Sequence, residues 1–189
     1  MAEVASESLG FRDTTFGWPL EELWVAGDLL EFPRELEVGS VVLRIDLPAS
    51  ELPWLGEQRD ADWAAERLRL GKRPFHWVYR PLAWPAWNSR HRRVARFWTA
   101  QLGVDDQVID AFSRRDAGAL AIVEPSDQEL LQQLRSELEV SWRQLRYVLD
   151  HYDDYPRRKR FDYPAEETLW RAAQDVREIE DALSALKPA

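Results

Sequence analysis

Cysteine is absent from the chain. That excludes disulfides, thiolate zinc centres and a cysteine nucleophile together, and it fits a reducing compartment. Histidine is almost as scarce. His76, His91 and His151 stand too far apart for the short spacing of a metal-binding pair, so no metal site is expected. The glycines are scattered, which leaves no Gly-rich phosphate loop, and a Ser nucleophile elbow is missing too. No apolar run approaches the ~20 residues that span a bilayer, and the acidic segment Met1 to Glu7 lacks the apolar stretch of a signal peptide. These absences predict a soluble cytoplasmic protein with no membrane partner and no cofactor.

What is present is aromatic and acidic. Ten Trp and seven Phe in 189 residues supply much of a globular core, since each large ring buries roughly 150–250 Å². The formal charge of −9 argues against nucleic acid as the general partner. The cations are 22 Arg against three Lys, a bias that points to a high-GC, actinobacterium-like genome before it points to function.

Residues 1–15 carry no apolar period and are expected to form a flexible N-terminus. Residues 16–124 read as an α+β domain and residues 125–189 as a helical hairpin packed on it. Leu23 to Leu30 is an apolar run between Pro19 and Pro33, expected as a buried strand, with a helix as the alternative. Val41, Leu43, Ile45 and Leu47 alternate with Val42, Arg44 and Asp46, the period of a second strand that should pair with the first. Asp60 to Leu70 predicts a short helix with Trp63, Ala64 and Leu68 on one face and Gly71 just past its end. Phe75, Trp77 and Tyr79 give a third strand, stopped by Pro81. Pro85 forbids regular helix around Trp84. Beyond Asn88 the stripe His91, Val94, Ala95, Trp98 and Leu102 predicts a helix. A further helix over Asp105 to Arg115 and a short strand within Gly118 to Val123 follow.

Ser126 to Glu129 is a capping box opening a long helix through Leu130, Leu134, Leu138, Leu145 and Tyr152. After a loop over Asp153 to Tyr163, Pro164 restarts a helix whose stripe runs from Leu169 to Leu186. The expected fold is therefore α+β: a small mixed sheet of three to four strands packed with helices, then an antiparallel pair of long C-terminal helices. The pattern contains no internal repeat.

Three groups of residues carry candidate chemistry. Gly27-Asp28 follows the first strand, and Arg44-Ile45-Asp46 ends the second. In this placement the β, β, α, β order resembles the nucleotidyltransferase fold, whose Gly-Ser pair and Asp-x-Asp pair hold nucleotide phosphates and Mg²⁺. The resemblance implies a degenerate member: Asp28 stands at the Ser position, Arg44 replaces a metal ligand, and the third strand has no acid. Arg146 and His151 form an Arg-x4-His pattern similar to helical ribonucleases that accompany such domains as toxin partners, where the two engage a scissile phosphate. Finally Trp84, Trp87, Arg90, His91 and Arg93 combine rings with positive charge, a composition suited to a nucleotide or to single-stranded nucleic acid.

With no complete constellation among them, the sequence predicts a non-catalytic binding or regulatory protein rather than an enzyme. Its expected partner is a protein or a nucleotide ligand, and the helical hairpin offers a homodimer surface. The alternatives are a degenerate nucleotidyltransferase-like protein and a helical ribonuclease-like module.

Overall fold

A computed structural model describes residues 19–32, 38–46, 62–72, 74–158, 161 and 164–186. Among these the chain divides into two compact units, the first ending at Pro125 and the second beginning at Ser126. The expected flexible segment 1–15 lies outside the described residues. No helix among those described is long and apolar enough to cross a membrane.

The first unit is built on β1 (Leu20–Ala26), β2 (Gly39–Ile45), β3 (Phe75–Pro81), β4 (Val94–Thr99), β5 (Gly103–Val104) and β6 (Ile122–Val123). The strand order is β3-β2-β1-β4-β5, with β6 also on β4. β2 and β3 are parallel and every other pair is antiparallel, so the sheet is mixed, as expected, but has six strands rather than three or four. Among the described residues this unit holds two α-helices, α1 (Asp62–Arg67) and α2 (Asp106–Arg114). α2 is capped by the Asp105 carboxylate, which accepts from the Gln107 and Val108 amides.

Three expectations need correction. The apolar run from Leu23 is strand only as far as Ala26, because Gly27 adopts a left-handed φ of 64° and turns the chain into a 3₁₀ helix over Gly27–Glu31. Gly71 does not follow the end of α1. Arg69 takes the left-handed conformation (φ 55°), and Gly71 lies inside a 3₁₀ turn over Leu70–Lys72; the side chains of Trp63 and Ala64 lie outside the described set. The third correction is the largest. Residues 88–93 are irregular and Val94–Thr99 is the strand β4, not a helix. A register shift explains the misleading period. Trp24 pairs with Arg96 while Leu23 pairs with Trp98, so Phe97 is an extra residue in β4. The bulge places buried side chains at Val94, Ala95, Phe97 and Trp98, a spacing that imitates one face of a helix.

The sheet buries both faces. Leu23, Val25, Val41, Leu43, Ile45, Tyr79, Ala95 and Trp98 line one face. The 3₁₀ turns pack on β1, β2 and β3, α2 packs on β4, and Phe32 meets Phe112 edge-on at 5.1 Å. Gly39 opens β2 where a Cβ would lie 2.7 Å from the Phe75 ring and 2.8 Å from Leu29, so only glycine lets these side chains close over the strand. The other face carries Trp24, Ala26, Val42, Val78 and Val94, with Ala86 and Trp87 laid over them.

The second unit is α3 (Asp127–His151), a short α4 (Tyr155–Arg158) and α5 (Ala165–Ala185). Ser126 and Glu129 form the reciprocal capping box, and Pro164 occupies the N-cap of α5. Leu145 and Val148 of α3 pack with Ala172 and Val176 of α5, with Leu138, Phe161 and Leu169 around them, which fixes an antiparallel hairpin.

Candidate functional site

The chain between β3 and β4 crosses a sheet face without forming a helix. β3 ends beside Ile45 at one end of the sheet, and β4 begins beside Ala26 at the other, two strands away. A parallel crossover of this kind is usually helical and satisfies its own backbone. Here two prolines and three bulky residues, in Pro81-Leu82-Ala83-Trp84-Pro85-Ala86-Trp87, prevent that, so the carbonyls need donors from elsewhere.

Two arginines on the sheet supply them. Arg44 donates through Nη2 to the Leu82 carbonyl (2.6 Å) and the Trp84 carbonyl (2.8 Å). Arg80 donates through Nε to the Pro85 carbonyl (3.1 Å) and through Nη2 to the Trp87 carbonyl (3.3 Å), and its guanidinium stacks 5.0 Å from the Trp84 ring. Asn88 completes the strap: its amide donates to the Ala86 carbonyl, and its Oδ1 accepts from the Arg90 and His91 amides. Arg44 and Arg80 are direct neighbours in the parallel register, and two like charges so placed would repel. Glu22 relieves this, accepting from Arg44 at 2.6 Å, from the Trp24 indole at 2.9 Å and from Arg96 at 3.1 Å. Burial alone would raise the Glu22 carboxyl. The Trp24 hydrogen bond, the Arg44 charge and hydrogen bond and the Arg96 hydrogen bond outweigh it and hold the group below the ordinary glutamate value.

This geometry decides the fate of the aromatic and basic candidates. Trp84 is buried and Trp87 packs on the sheet-face cluster, so neither indole is a free ledge for a ligand. Arg93 is paired with Glu31 and Glu124. His91 is half-buried, close to the space above Gly27 and Ser40. Burial lowers its pKa first, the positive charges of His76 and Arg90 lower it further, and Asp28 opposes them. Arg90 is the one exposed member of the group.

The other candidates do not converge. Asp28 and Asp46 are both exposed, each just past the end of a strand. Because β1 and β2 are antiparallel, with Ala26 opposite Ser40 and Leu20 opposite Ile45, these two ends lie at opposite edges of the sheet. Six residues of strand separate them, roughly 20 Å, too far to share a metal ion. Among the described residues no three His, Cys, Asp or Glu side chains are grouped to hold one. In the second unit, the His151 Nδ1 lies 2.7 Å from the Tyr147 carbonyl and its Nε2 accepts from Arg157. A guanidinium only donates, so Nδ1 carries the proton and neither nitrogen is left open for a substrate. Arg146 stacks over Trp142 at 5.9 Å instead of joining His151, and five residues of helix turn the two onto different faces.

The model of a domain-of-unknown-function family, DUF7711, matches residues 1–185. The chain belongs to that family. No curated protein and no solved structure matches it.

Two clefts lie in the first unit of this DUF7711 chain. One, about 370 Å³, is lined by residues including Arg96, Trp98, Thr99, Leu102 and Asp106. The other, about 520 Å³, is lined by Ala65, Glu66, Arg69, Gly71, Lys72 and Trp77. None of the candidate site residues proposed from sequence is among the residues lining these two clefts. Sequence reasoning also missed Glu22 and Arg80 as the organising charges. The available signal was an arginine pointing to the same face of a strand as Val78, directly before a proline-interrupted segment.

Proposed function

We propose that this protein is a non-catalytic binding or regulatory protein that acts by contact with another macromolecule, in the cytoplasm. The observation that carries this reading is the internal commitment of its polar chemistry. Arg44 and Arg80 hold carbonyls of the strap, Glu22 joins Arg44, Arg96 and Trp24, and both ring nitrogens of His151 are engaged within its own helix pair. A catalytic side chain must instead face the space where a substrate sits.

A degenerate nucleotide-binding role is less well supported, since Asp28 and Asp46 lie at opposite sheet edges and the Trp84 and Trp87 rings are packed inward. A ribonuclease role would need Arg146 beside His151, and Arg146 stacks on Trp142. The test is isolation of the full chain from its native host under non-denaturing conditions, followed by a mass-spectrometric inventory and an absorbance ratio at 260 and 280 nm. A protein at fixed stoichiometry, with the absorbance of protein alone, is the expected result. A stoichiometric nucleotide would count against it.

A further inference from the structure

Helix α3 carries a face that the hairpin does not use. Arg135, Trp142, Arg146 and Leu149 share it, at the spacing that brings residues to one side of a helix. Leu149 is 53% exposed and Trp142 36%, with the Arg146 guanidinium stacked on the indole. Asp153 extends the line, because the C-cap Tyr152 keeps helical dihedrals. Among the described residues Arg135, Glu139, Arg146 and Asp153 are exposed, and no ion pair joins any of them to an opposite charge within the chain.

We infer that this face is a self-association surface, and that its occupant is α3 of a second copy, running antiparallel about a two-fold axis that passes midway between Trp142 and Arg146. The charge order matches itself in that arrangement. Arg135 comes opposite Asp153, Trp142 opposite Arg146, and Glu139 opposite Leu149, so opposite charges meet at both ends and no like charges face each other along the line. A two-fold interface must be self-complementary in this way. Trp and Arg are the side chains that dominate binding energy in such contacts, and each indole would take a second guanidinium from the partner copy. The contact spans roughly 27 Å of a single helix, and one helix face of that length buries less than the about 800 Å² per partner of a standard interface. The dimer is accordingly weak, with dissociation on the order of micromolar.

This inference deepens the contact reading above and rests on it. Sedimentation velocity of the full chain from about 1 to about 300 µM should show a concentration-dependent dimer. Trp142→Ala should weaken it at least tenfold, whereas Trp170→Ala, exposed on α5, should leave it unchanged. Since loss of a Trp can disturb folding, a charge exchange provides the second arm. Arg135→Asp and Asp153→Arg should each weaken the dimer, and the two together should restore it. A chain that stays monomeric throughout, or a dimer indifferent to Trp142→Ala and to the charge exchange, overturns the inference. A monomer that still co-purifies with another protein removes self-association and leaves the contact reading standing.

Discussion

Replacing Arg80 with methionine should destabilise the first unit far more than replacing Arg96 on the same sheet face. Arg80 is 1% exposed and holds the Pro85 and Trp87 carbonyls while stacking on Trp84. Hydrogen bonds to a charged donor contribute about 1.5–3 kcal/mol each, and a desolvated cation–π contact about 2 kcal/mol. These do not add, because methionine relieves the cost of burying a charge. The Pro85 and Trp87 carbonyls lose their donor, at about 1–3 kcal/mol for each group left unpaired, so a penalty of about 2–4 kcal/mol is expected. Arg96→Ala is the reference. Its guanidinium also bonds Glu22, but it is 47% exposed, so solvent screens the pair and the expected cost is about 0.2–1 kcal/mol. Equilibrium urea unfolding followed by Trp emission measures both, since Trp24, Trp77, Trp84, Trp87 and Trp98 all belong to the first unit. A cost below about 1 kcal/mol for Arg80→Met would refute the idea that this arginine pins the strap.

Gly39→Ala should cost about 1–3 kcal/mol by crowding Phe75 and Leu29, read in the same unfolding experiment. Leu145→Ala should cost about 2–4 kcal/mol in the helical hairpin, followed by helical circular dichroism. Ser126→Ala removes the N-cap of α3 and should cost about 1 kcal/mol, with faster amide exchange in the first turn. His91 has a lowered folded-state pKa, so the unfolded chain binds the extra proton first as pH falls. Its contribution is present above about pH 6.5 and declines below it. His91→Gln should therefore flatten the stability profile between about pH 7 and pH 5, and an unchanged slope would refute this assignment.

The second unit was legible in detail because its signals are local: a capping box, a proline at the helix entrance and long apolar stripes each fix structure within a few residues. Strands β2 and β3 are legible from alternation and β1 from an apolar run, although that run places β1 too late in the chain because Gly27 reads as apolar filler until its left-handed turn is seen. β4 was not legible. Its bulge at Phe97 gives a helical spacing, and the evidence that it is a strand lies in β1, some seventy residues earlier. The candidate site failed for a related reason. Which arginine faces a carbonyl and which faces water depends on the crossover path of residues 82–93, a tertiary feature that no motif records. The Glu22–Arg44–Arg80 row becomes visible only after the strand register is known.

The most direct measurement takes the chain with Asp28→Asn, Asp46→Asn and His151→Gln together and compares it with wild type after isolation from the native host. If these side chains serve structure and solubility rather than chemistry, the melting temperature should stay within about 3 °C and the co-purifying partner should be retained at the same stoichiometry. An intact melting temperature accompanied by loss of a measured turnover would contradict the account.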